Sequence, residues 1–124
     1  MSKLFLLFGS LSAGLAVILG AFGAHGLRGK LPVNLLSAFE TGVQCQMYHA
    51  LALMIVGVLV QIYPTSNLLK WSGALFILGS LLFSGSLYGL VLTQIKLFGP
   101  VTPLGGVAFI AGWLLLAYAL FKSA

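Results

Sequence analysis

Acidic residues are almost absent from this chain: Glu40 stands alone against six Lys and Arg in 124 residues. No Ser/His/Asp arrangement and no charged pair inside an apolar run can be assembled from such a set, and no phosphate-binding glycine loop is present. Charge of either sign is scarce. Charged residues make up 6% of the chain, where a soluble domain carries about 25%. So few cannot wet the surface of a water-soluble globule, which excludes a soluble enzyme, a nucleic-acid binder and a disordered tail. The single cysteine, Cys45, cannot close an intramolecular disulfide and says nothing firm about compartment.

What is there is apolar: 60% of residues before the 16 glycines are counted, with a mean hydropathy of +1.15. The net charge of +5 would suggest nucleic acid on a soluble protein. Here Lys3, Arg28, Lys30, Lys70, Lys96 and Lys122 are scattered, each in or beside a gap between apolar runs. They mark membrane boundaries and form no patch.

Between the charges lie uncharged runs at 4–27, 41–69, 71–95 and 97–121. Each exceeds the roughly 20 residues that a helix needs to cross about 30 Å of hydrocarbon. Open strands would leave backbone groups unpaired in lipid, and four runs are too few for a closed barrel. The expected fold is an all-α membrane protein, one domain over residues 1–124. Four transmembrane helices, near 4–24, 43–63, 72–93 and 103–121, form an up-down antiparallel bundle. Thr102-Pro103 reads as an N-cap and first residue of the fourth helix. Ser37 to Glu40 and Thr41 to Gln44 each match a capping box, so helix two is expected to begin before the bilayer, with Glu40 as a cap. Tyr63 and Trp71 read as interfacial anchors. Lys3, the first apolar run and Ala21-Phe22-Gly23 resemble a signal peptide, but the run is too long, and an uncleaved first span is expected.

Close helix contact in lipid depends on small residues and hydrogen bonds. Helix one carries Gly9, Ser12, Ala16, Gly20 and Gly23 on one face; helix four carries Gly105, Ala108 and Gly112; helix three offers Gly85 and Gly89. These are the expected packing positions, for a monomeric bundle or for a second subunit. Four spans place both termini on one side, and the basic residues tie at three per side. Cytoplasmic termini in the plasma (inner) membrane are the default.

Polar residues gather on the other side. His25 ends helix one there; Glu40, Gln44, Gln46 and His49 open helix two; Ser84, Ser86 and Tyr88 lie in that half of helix three; Thr102 opens helix four. Ionisable groups at membrane depth are functional candidates by default, and His49 is the deepest. Its bland reading is a structural histidine bonded to Ser84 or Tyr88. For His25 the bland reading is a helix-end imidazole among headgroups. Cys45 and His49, four apart, share a face and could hold a soft metal with His25 or Met47, but no third ligand is convincing. A haem between His25 and His49 is disfavoured by their different depths. No metal, cofactor or catalytic group is expected.

The same residues carry a resemblance. Gly20-Ala21-Phe22-Gly23-Ala24-His25-Gly26-Leu27, Gln46-Met47-Tyr48-His49-Ala50-Leu51-Ala52-Leu53, Phe83-Ser84-Gly85-Ser86-Leu87-Tyr88, Thr102-Pro103-Leu104-Gly105-Gly106 and Gly112-Trp113 resemble the YgdD/YwdK-like family of small bacterial inner-membrane proteins. The match runs in order over nearly the whole chain. It implies a four-helix multipass protein and supplies no reaction.

Two functions are expected from these readings. The first is a non-enzymatic membrane component, in contact with the lipid bilayer and packing with itself or a larger membrane complex, without nucleic acid. The alternative is a small transporter or binder of an apolar or weakly polar molecule at the polar cluster. Four spans and tied loop charges resemble the small multidrug transporters. Those use a carboxylate inside helix one, which this chain lacks, so proton coupling would fall to Glu40 or His49.

Overall fold

A computed structural model describes residues 1–122; residues 123 and 124 of the expected domain lie outside the described residues. Four helices among the described residues are long and apolar enough to cross a membrane: Ser2–Leu27, Val33–Ile62, Asn67–Thr93 and Lys96–Phe121. The chain is a four-span, all-helical membrane protein. Within the spans the regular helices are α1 (Ser2–Phe22), α2 (Val33–Ile62), α3 (Asn67–Gly79), α4 (Gly85–Thr93) and α5 (Val101–Phe121).

Every span starts earlier than the hydropathy runs suggest, because the helices continue past the hydrocarbon. At 1.5 Å per residue the 30 residues of α2 reach about 45 Å, so its first turns stand in the headgroup region. Pro32 precedes α2 and no side chain caps it. The expected capping boxes are therefore interior. Glu40 lies about two turns inside the helix, and the Thr41 hydroxyl donates to the Ser37 carbonyl at 3.0 Å. Thr102 is likewise inside α5, which begins at Val101 after Pro100. A side-chain cap does occur at α3, where the Ser66 hydroxyl accepts from the Leu69 N–H at 3.3 Å.

Two turns are wider than α-helical: Gly23–Leu27 at the end of α1, and Ser80–Ser84 between α3 and α4. In the first, the Arg28 N–H reaches back five residues to the Gly23 carbonyl at 3.1 Å, the bonding of a π-turn. Gly29 then takes φ +83° and reverses the chain. Gln94 ends α4 in the left-handed region at φ 57°.

The second span is the most buried and the first the least. The first span lies along α2; α2 also packs on the α3–α4 rod, which packs on α5. Between them sits an apolar core of Phe5, Leu53, Val56, Leu69, Phe76 and Phe109. The core works by fitting rings into gaps left by small residues. A Cβ at Gly105 would run into the Phe83 backbone, and one at Gly112 would lie 2.8 Å from the Phe76 ring. Lipid supplies little hydrophobic drive between helices, so these close approaches supply the packing.

The expected packing stripe of helix one lies against α2. Gly9 faces Met54 and the Ala50 carbonyl, Gly20 faces Val43 and Gly23 faces Phe39. Ala16 is buried, and the Ser12 backbone receives a hydrogen bond from Gln46. Ala108 is buried in α5, and Gly89 faces the Phe98 ring. Gly85 differs: a Cβ there would meet nothing within 4 Å, because the position faces an open groove.

Candidate functional site

The polar residues do not share one depth and do not form one site: because α2 begins at Val33, Glu40 lies about two turns from its start and His49 near its middle. They divide by depth and by the direction each helix face points.

The innermost group centres on His49, which is 8% exposed. Its Nδ1 lies 2.7 Å from the Cys45 carbonyl, an acceptor, so Nδ1 carries the proton. Its Nε2 then accepts from the Trp113 indole N–H at 2.9 Å. The ring stacks on Phe109 with centroids 3.5 Å apart and planes 11° from parallel. Neither Ser84 nor Tyr88 is its partner. Both ring nitrogens are engaged, which leaves none for a metal shared with Cys45 or for a haem. Among the described residues no group of three or more His, Cys, Asp or Glu side chains could hold a metal ion.

A second group joins three spans in one line. The Tyr88 hydroxyl donates to Gln46 Oε1 at 2.6 Å, and Gln46 Nε2 donates to the Ser12 carbonyl at 2.9 Å. Beside it the buried Ser84 hydroxyl donates to the Gly42 carbonyl at 2.8 Å. A third group ties α4 to α5: Thr102 and Ser86 share a hydrogen bond of 2.6 Å, and the Ser86 hydroxyl is also 2.9 Å from the Phe83 carbonyl. On the opposite side of the membrane the buried Ser72 hydroxyl donates to the Gly112 carbonyl at 2.8 Å. No buried side-chain nitrogen or oxygen among the described residues lacks a partner. Unpaired polar groups are costly in hydrocarbon, and each of these groups closes its own account within the bundle.

His25, Glu40 and Gln44 do not join them. All three are exposed; Glu40 and Gln44 line a separate cleft with Arg28. Glu40 and His49, the two residues to which proton coupling would fall, therefore stand in separate surroundings.

Three residues that matter to the site were missed by the sequence reading: Trp113, Phe109 and Ser12 as a backbone acceptor. A signal existed for the first two. Trp113 sits in mid-span, away from the interfacial belt, where its N–H needs a partner, and Phe109 is one turn before it on the same face.

A lateral groove of about 370 Å³ lies beside the buried groups, between the first span and the α3–α4 rod. Leu11, Ser12, Gln46, Ser80, Gly85 and Tyr88 line it. It exists because Gly85 has no side chain and because the wide Ser80–Ser84 turn stands at its wall.

Four apolar crossings stitched by buried hydrogen bonds define a small polytopic membrane protein. Residues 19–106 match the family model described as "Protein of unknown function (DUF423)", and the chain belongs to that family. It is 53% identical over 122 residues to the UPF0382 membrane protein SAB0533 of Staphylococcus aureus (strain bovine RF122 / ET3-1), covering 98% of each chain. It is 49% identical over 120 residues to the UPF0382 membrane protein YwdK of Bacillus subtilis (strain 168), covering 97% of this chain and 98% of the relative. No solved structure matches the chain.

Proposed function

We propose that this protein is a non-enzymatic component of the plasma (inner) membrane, a small bundle that packs with a second copy or within a larger membrane complex. Both termini lie on the cytoplasmic face. The observation that carries the reading is that, among the described residues, every buried side-chain nitrogen and oxygen has a hydrogen-bond partner within the bundle. Such groups hold helices together, whereas a reaction or a proton relay needs a group left free. The sparsely buried first span supports the packing role, since Leu4, Leu7, Leu11, Val17 and Ile18 face outward along its length. Purification in mild detergent with mass measurement tests it: a particle larger than one chain is expected, and a strictly monomeric particle without partners contradicts it. Tags in the 28–32 and 94–100 connections, read for accessibility in intact cells, test the orientation.

The lateral groove favours a second reading, a binder of an apolar or weakly polar molecule drawn from the hydrocarbon. Gln46 and Tyr88 would offer it hydrogen bonds there. Gly85→Leu fills the groove without entering the core, so it abolishes binding under this reading and leaves binding unchanged if the groove is idle.

A further inference from the structure

A second cleft, of about 280 Å³, lies between the end of the first span and the start of α2. It contains none of the side chains that bond across the bundle. Gly20 and Gly23 leave its floor bare, and Arg28, Glu40 and Gln44 stand on its walls. All three polar residues are exposed. The chain's only arginine and only acidic residue thus meet in one cleft.

Local geometry accounts for the meeting. Because the Arg28 N–H bonds to the Gly23 carbonyl, five residues back, Arg28 stands over Gly23. Its extended backbone and the reversal at Gly29 hold it there. On α2, Glu40 and Gln44 are four apart and share a face. The first turns of α2 extend beyond the hydrocarbon, which sets this cleft at headgroup level.

We propose that this cleft binds the zwitterionic headgroup of an aminophospholipid, with the phosphate on the Arg28 guanidinium and the primary ammonium on the Glu40 carboxylate. Guanidinium matches phosphate in geometry as well as charge. A purely anionic headgroup meets attraction from Arg28 and repulsion from Glu40. A quaternary ammonium has the charge but no N–H to give the carboxylate. Phosphate and ammonium on one short linker satisfy both walls. The same chemistry exists in free phosphoethanolamine derivatives, but a cleft at headgroup depth stands level with the bilayer's own headgroups, and lipid is the source assigned.

The test uses the full chain in mild detergent, with equimolar phosphatidylethanolamine, phosphatidylglycerol and phosphatidylcholine, and bound lipid read by native mass spectrometry. Wild type is expected to retain phosphatidylethanolamine about tenfold over either competitor, a difference well within one charge-assisted contact. Glu40→Gln brings the ratio to phosphatidylglycerol down to roughly twofold or less, since one repulsion and one attraction vanish together. Arg28→Gln lowers retention of all three. Both positions are exposed, so unchanged helical circular dichroism and thermal midpoint confirm that the variants fold. Equal retention of the three lipids by wild type, or a preference untouched by Glu40→Gln, overturns the proposal. Glycerophosphoethanolamine at the lipid's concentration is expected not to displace it; displacement overturns the lipid as the source. These outcomes are independent of whether the bundle is monomeric.

Discussion

The two histidines belong to adjacent spans, yet they differ in depth and in surroundings: His49 stands near the middle of α2 and His25 at the end of the first span. His49 is enclosed, stacked on Phe109 and bonded at both nitrogens. His25 is exposed on the wide turn that ends the first span. The polar residues around each follow suit. Gln46, Ser84, Ser86 and Tyr88 are spent on helix contacts inside, while Glu40 and Gln44 face an open cleft outside. Depth and direction around the helix axis together decide role, and direction alone separates Gln44, exposed, from Gln46, buried and bonded to Tyr88.

Substitutions can break or sharpen that contrast. The largest effect is expected at an inner close approach: Gly105→Leu drives a side chain into the Phe83 backbone and should cost about 3 kcal/mol, the upper part of the range for overpacked cores. Loss of folded protein on a detergent-unfolding curve would show it. His49→Ala is next, at about 2 kcal/mol, because the Trp113 N–H loses its acceptor and the Phe109 ring loses its stacking partner. His49→Phe restores ring volume but not the bond, so it should recover part of that loss only. Ser84→Ala removes one interhelical hydrogen bond and should cost about 0.6 kcal/mol, typical of such bonds in membranes. His25→Ala should lie within about 0.5 kcal/mol of wild type, as expected of an exposed position. A loss at His25 as large as that at His49 would erase the distinction between the two regions.

The crossings were legible because length and apolarity suffice to define them. Their ends were less so. Pro32-Val33 starts α2 with no side-chain cap, while two convincing capping patterns lie inside the helix. Carboxylate and hydroxyl caps compete with a helix that has already formed, and the earlier start wins once eight more residues can join it. The division of the polar cluster was harder to read. In a soluble helix the apolar stripe marks the inner face, but here both core and lipid faces are apolar, so periodicity is silent. The polar spacing did carry the answer. Gly42, Gln46 and His49 fall at steps of four and three, on one face, as do Glu40 and Gln44, while Gln44 and Gln46 point nearly opposite ways. What no spacing could supply was the partner across the bundle, since Trp113 meets His49 only after the fourth span returns through the membrane.

His49 is a fixed structural link, with its proton on Nδ1 and its Nε2 occupied as an acceptor. Nitrogen-15 NMR of histidine-labelled protein in lipid nanodiscs at neutral pH reads this directly. A protonated Nδ1, a bare Nε2 and coupling of that nitrogen to the Trp113 indole proton are expected, with the coupling lost in Trp113→Phe. A proton found on Nε2, in the other neutral tautomer or in the imidazolium, would contradict the account and return His49 to the list of groups free for chemistry.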